Sequence, residues 1–183
     1  TFHESLRFPW PKGPVRLVLK RRAPGGALRD VWTTRVDPAA SSVTRVRMAG
    51  LPPVWPLVES GPPSRKVDLL LVPAGYTRDE LPKFHADAAR LVEAMFAVEP
   101  YRSRRADFNI RGLDLPGAES GVSRPAQGVF RRGALGVEYS IFGTERYMLA
   151  TDNRALRDVA SAAPYDVVEV LVNEQAYGGG GIF

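Results

Sequence analysis

The chain has 183 residues, 44% of them hydrophobic and 25% charged, which suits one sizeable core or two small ones and excludes a disordered polar chain. Cysteine is absent, which excludes disulfides and thiolate metal sites, and no stretch approaches the run of about 18 apolar residues that a membrane helix needs. The formal charge of +5 comes from 25 Lys+Arg against 20 Asp+Glu, with arginine dominating the cations, a bias that genome composition can produce without any nucleic-acid partner. The first residue is Thr1 rather than Met, so the chain is expected to start inside a longer precursor.

The first fifty residues read as an all-β module. Val15 to Lys20 alternates apolar and polar positions, Leu28 to Val36 is a second candidate strand, and Val43 to Met48 a third, with Pro24-Gly25-Gly26 as a turn between the first two. Three strands with so few large apolar residues are marginal alone, so further strands upstream are expected. Five prolines between Pro52 and Pro63 then forbid helix and disfavour a central strand, and residues 51–65 read as a linker, with Trp55 a candidate docking residue between modules.

After the linker the pattern turns β-α-β. Val67 to Val72 is a nearly continuous apolar run, as in a strand covered on both faces. Thr77-Arg78-Asp79-Glu80 matches a capping box, and Leu81, Phe84, Ala88, Leu91, Val92 and Met95 keep helical spacing up to Glu99-Pro100. Pro82 predicts either a distorted first turn or a regular helix that begins there. Asp107 to Leu115 is the next strand, and residues 116–136 form a long Gly- and Pro-rich loop of the kind that is usually functional. Asp152 caps a second helix that stops at Pro164, and Val167 to Val172 is a β-branched strand that runs into Tyr177-Gly178-Gly179-Gly180-Gly181.

Candidate chemistry is sparse. His3 begins an H-E-x-x-H-like string but has Arg7 where the second imidazole belongs, and His85 reads as a helix histidine beside the apolar stripe, so no three-ligand zinc site can be assembled from these residues. Ser120 and Ser123 lie in a loop outside any G-x-S-x-G elbow, and Asp79 and Glu80 are accounted for by capping. Arg102, Arg104, Arg105, Arg131 and Arg132 read as a solvated basic face, since the interleaved aromatics of a nucleic-acid platform are weak. The glycine run lacks the Gly-Lys-Ser/Thr of a phosphate loop and the G-x-G-x-x-G of a dinucleotide fold. A glycine-rich edge can instead let an extended peptide pair with it backbone to backbone.

The succession VDLLLVPAGYT, EPY, FNI, GVEYSIFGTERYM and YDVVEVLVNEQAYGGGG resembles the IgA-specific zinc metalloendopeptidase family. Its most specific landmarks here are Gly75-Tyr76-Thr77, Glu145-Arg146-Tyr147 and Tyr177 to Gly181. The resemblance implies an α/β, zincin-like fold with a mixed twisted sheet over 66–183, the N-terminal half of a catalytic domain, preceded over 1–50 by the end of an all-β sandwich. It implies a secreted or extracellular enzyme, with a periplasmic setting possible, acting on protein or peptide with zinc as cofactor in the complete protein. No nucleic-acid partner and no membrane span are expected, and the oligomeric state stays open. The family's H-E-x-x-H helix follows the glycines, so catalytic and metal residues are expected beyond Phe183, none in this chain, and Tyr177, Gly178, Gly179, Gly180 and Gly181 are the expected substrate-binding residues. A noncatalytic peptide- or glycan-binding β scaffold and a nucleotide-dependent α/β enzyme remain open as other classes.

Overall fold

The computed structural model describes residues 8–44 and 49–179, which fall into two compact units, one within Thr1–Arg47 and one within Met48–Phe183. In the first unit, β1 (Val15–Arg22) and β2 (Leu28–Val36) pair antiparallel. Their turn closes with the Ala23 N–H donating to the Ala27 carbonyl at 2.8 Å, and Gly25 (φ 91°) and Gly26 (φ 87°) take the left-handed backbone that the reversal requires. The expected third strand runs into residues 45–48, outside the described ones, and Val43 and Thr44 before it are not in a strand.

The second unit is mixed α/β and is built around β4 (Val67–Ala74). This strand is central: β5 (Phe108–Leu113) runs parallel on one side and β8 (Val167–Val172) parallel on the other. Between β4 and β5 the chain forms α1 (Leu81–Phe96), and between β5 and β8 it forms the two-residue strands β6 (Val137–Glu138) and β7 (Leu149–Ala150), followed by α2 (Asn153–Ala160). Leu71, Tyr76, Phe84, Ala88, Val92, Phe96 and Ile110 form the core against α1. Leu70, Val72, Ala74, Leu113, Leu135 and Ala160 belong to a separate core against α2. Successive β4 residues therefore point into different cores, and Leu70, Leu71 and Val72 are all fully buried, which is why the strand reads as an unbroken apolar run.

The linker expectation for 51–65 is corrected. Within it, β3 (Val54–Val58) pairs antiparallel with β5 and makes the sheet order β3-β5-β4-β8. Proline is tolerated because β3 is an edge strand, where a missing N–H can face away from the ladder. Two side chains hold it. Trp55 lies over Gly112, whose absent Cβ would sit 2.3 Å from the indole, and its Nε1 donates to Asp114 Oδ1 at 2.9 Å. Asn109, fully buried, accepts from the Ser60 and Gly61 N–H groups at 2.8 and 3.2 Å and donates to the Gly61 carbonyl and Asp68 Oδ1. Arg111 also donates to Asp68 Oδ1, so a buried carboxylate at the start of β4 is paired and hydrogen-bonded rather than isolated. Trp55 thus packs within the second unit, against Phe84 and His85, with ring centroids at 5.8 and 4.3 Å.

The helix starts follow the sequence signals. A 3-10 turn at Arg78–Glu80 precedes α1, and Pro82 falls in the first turn, where its missing N–H costs nothing. The Asp152 side chain accepts from the Ala155 N–H at 2.8 Å at the start of α2. Replacing Asn109 by Ala leaves the Ser60 and Gly61 N–H groups without their acceptor and is expected to cost about 2 to 3 kcal/mol. A lowered urea midpoint with unchanged slope would show it; an unchanged midpoint would mean that β3 is held by Trp55 alone.

Candidate functional site

The C-terminal ends of β4 and β5 send the chain to opposite faces of the sheet, toward α1 and α2 respectively. In open α/β sheets that divergence is where a ligand crevice forms. Here the protein's own loop fills it: the Gly121 N–H donates to the Gly75 carbonyl at 2.8 Å and the Gly117 N–H to the Tyr76 carbonyl at 2.7 Å. Gly75 (φ 75°) has no room for a side chain, because a Cβ would stand 2.6 Å from the Gly121 carbonyl oxygen. A cavity of about 10 Å³ remains, lined by Ala74, Gly75, Gly121, Val122 and Leu135, space for about one water and not for a nucleotide.

A polar cluster surrounds this junction. Glu80 accepts from the Thr77 N–H at 2.9 Å and from the Ser120 hydroxyl at 2.7 Å, and these bonds hold its carboxyl below the ordinary glutamate range. Tyr76 is buried, and its hydroxyl donates to Asp87 Oδ2 at 2.8 Å; burial first, then the Asp87 carboxylate, push the phenol above its ordinary range. Burial pushes Asp87 up, but bonds from Lys83 and Tyr76 and the charges of Lys83 and Arg90 outweigh it and hold the carboxyl low. Lys83 Nζ also reaches Asn173 Oδ1 at 2.9 Å, while Asn173 Nδ2 donates to the Gly75 carbonyl at 3.0 Å. The exit of β8 is therefore tied to the exit of β4 and to α1.

From Asn173 the chain runs to the glycines along a fixed path. Glu174 Oε2 accepts from Arg124 at 2.7 Å, the Arg124 guanidinium lies 4.6 Å over the Tyr139 ring, and the Tyr139 hydroxyl donates to the Ala176 carbonyl at 2.8 Å. The Met148 N–H then donates to the Gly178 carbonyl at 2.7 Å. Gly178 is needed for close packing: a Cβ there would stand 2.5 Å from Met148 Cε, 3.1 Å from Met148 Cβ and 3.2 Å from the Tyr139 ring. Tyr177, the residue before it, is 68% exposed. The segment that carries Met148 also holds Ser140 (φ 67°) and Phe142 (φ 60°) in the left-handed region, and Phe142 projects with 76% of its surface exposed.

The sequence profile of the IgA peptidase M64 family matches residues 55–183, from β3 through the glycine segment. The chain belongs to the IgA peptidase M64 family. Among curated proteins none matches it. The family match supports a peptidase, and it begins within the proline-rich stretch, in keeping with β3 as a strand of this unit.

The expected M64 landmarks converge only in part. Gly75, Tyr76 and Thr77 form the junction described above, Tyr177, Gly178 and Gly179 lie beyond β8, and Gly180 and Gly181 fall outside the described residues. Glu145, Arg146 and Tyr147 lead into Met148, with Arg146 stacked 5.8 Å over the Tyr147 ring. His3 is outside the described residues; His85 Nε2 lies 2.7 Å from Asp114 Oδ1 beside Trp55, far along the sheet order from β8. Among the described residues no group of three or more His, Cys, Asp or Glu side chains is placed to hold a metal ion. Arg102 and Arg104 pair with Glu99 and Asp107, and Arg105 with Glu93 at 3.6 Å, as exposed helix-end ion pairs. Met148, Tyr139, Arg124 and Glu174, which place the glycine segment, carry no fixed spacing that sequence reading could use.

Two outcomes are expected. Glu80 and Asp87 have folded values below their unfolded ones, so the stability they add is present above the unfolded carboxylate range and is lost as pH falls through the folded values. The thermal midpoint should therefore fall below about pH 5, with a shallower fall in Glu80→Gln/Asp87→Asn, as read by calorimetry. Gly178→Val should overpack the site against Met148 and Tyr139 and cost about 1 to 3 kcal/mol; an unshifted thermal midpoint would refute the close packing.

Proposed function

We propose that the second unit is the N-terminal half of the zincin-like catalytic domain of a secreted zinc metalloendopeptidase, and that the first unit is the end of an all-β sandwich domain before it. The observation that carries the reading is the family match over 55–183, together with the anchored glycine segment at the C-terminal edge of the sheet. In this reading Tyr177 to Gly181 form the docking edge for an extended substrate. Met148 occupies the Gly178 carbonyl, so a substrate strand takes the side of the segment away from Met148. The four anchors through Asn173, Glu174, Ala176 and Gly178 hold Tyr177 and Gly178 of this edge in place before substrate arrives, which lowers the ordering cost of binding there. Zinc, in this proposal, is held by residues outside the described ones.

Metal analysis and peptide hydrolysis test the reading on two samples. The Thr1–Phe183 chain is expected to carry less than stoichiometric zinc and to cleave nothing, whereas the full-length protein cleaves peptides and stops when a chelator removes its metal. Tight stoichiometric zinc on Thr1–Phe183 would contradict the placement of the ligands. A full-length protein that binds peptides without cutting them would favour the noncatalytic scaffold.

A further inference from the structure

The positive charge of this protein is not spread along the chain. Residues 1–47 hold 10 Lys+Arg against 3 Asp+Glu, whereas residues 48–183 hold 15 against 17. A general preference for arginine over lysine affects both parts alike, so it does not explain a surplus confined to one of them. The cause is local to the hairpin unit.

The register of the hairpin sharpens the point. Arg16 stands directly opposite Arg35, and Arg21 directly opposite Arg29. Opposite residues of an antiparallel pair share a face with Cβ atoms about 5 Å apart, and like charges there are destabilising. All four arginines are exposed, and among the described residues the hairpin's ion pair is Lys20–Asp30 at 3.1 Å, which involves none of them. Arg16 and Arg21 are five positions apart on β1, so the two repulsive pairs lie on opposite faces. Beside the turn, Arg21, Arg22, Arg29 and Asp30 line a concavity of about 420 Å³. A small hairpin with two built-in repulsions has a feature that weakens the fold and suits an anion-binding surface.

We propose that the β1–β2 ribbon binds an acidic stretch of the polypeptide substrate, as a second docking point besides the glycine segment. The choice of polypeptide rests on the peptidase reading above. A lipid surface is served by apolar residues on one face and cations on the other. Here both faces are mixed: exposed Leu19 and Trp32 share a face with Arg21 and Arg29, and exposed Leu28 shares the other with Arg22. An acidic peptide fits such a surface in two ways: its carboxylates accept paired N–H bonds from the guanidinium groups, and its apolar side chains lie on Trp32 and Leu19, which are exposed among the described residues.

The test uses the full-length protein with poly-L-glutamate, heparin and phosphatidylglycerol vesicles as probes, at 50 and 300 mM salt, with Arg21→Gln/Arg29→Gln and Arg16→Gln/Arg35→Gln as variants. Poly-glutamate is expected to bind tightest and to weaken about tenfold at the higher salt. Each double variant is expected to lose affinity several-fold without a lower thermal midpoint, because it relieves a repulsion. No binding of poly-glutamate, equal binding by both variants and wild type, or tighter binding to heparin or vesicles would each overturn the proposal. Wild-type hydrolysis, measured alongside, separates the two readings: poly-glutamate binding without cleavage of any peptide removes the peptidase reading, and cleavage without poly-glutamate binding removes this proposal alone.

Discussion

The second unit depends on one contact that admits no side chain, the approach of Gly121 to Gly75 at the end of β4. The Gly75 carbonyl accepts from both the Gly121 N–H and Asn173 Nδ2, and neighbouring Ser120 binds Glu80 at the start of α1. Three chain segments that leave the sheet in different directions are thus joined at a single carbonyl. A Cβ at Gly75 would push Gly121 away, and with it the loop that closes the crevice and the partner that fixes Glu80. The order of everything beyond the strand ends follows from that packing.

What lies on either side of this junction differs in kind. Below it, burial dominates: β4 is covered on both faces, and its single buried carboxylate is paired with Arg111. Above it, polar anchors dominate, because the chain has left the sheet and has no ladder to satisfy its amides and carbonyls. Asn173, Tyr139 and the Met148 N–H supply partners to backbone carbonyls one by one, and Arg124 holds the Glu174 carboxylate. The result is a partly exposed segment with a defined path, the condition for a binding edge built outside regular structure.

Features written within a few residues were legible in the sequence. The apolar run of β4, the Thr77–Glu80 box and the Asp152 cap are each local, and the structure has them where the spacing puts them. β3 was hidden because its prolines argue against a strand unless the strand lies at an edge, and edge position is a property of the sheet rather than of the segment. Its anchors, Asn109 and Asp114, are 49 and 59 residues away from their partners Ser60 and Trp55. The glycines were legible as a place of close backbone approach. That at Gly178 the approaching group is this chain's own Met148 was not, because no periodicity or fixed spacing in the sequence points from one to the other.

These separations bear on the order in which the molecule assembles. The bonds from Asn173 to Gly75 and from Asp166 to Asp68 each join residues 98 positions apart, so they close only after most of the unit has been made and brought together. The path of the glycine segment depends on them. A partly folded chain can have its helices and β4 in place and still lack the edge, so the docking edge proposed above would arrive last, when the protein's own strands are already paired and no longer available to be held.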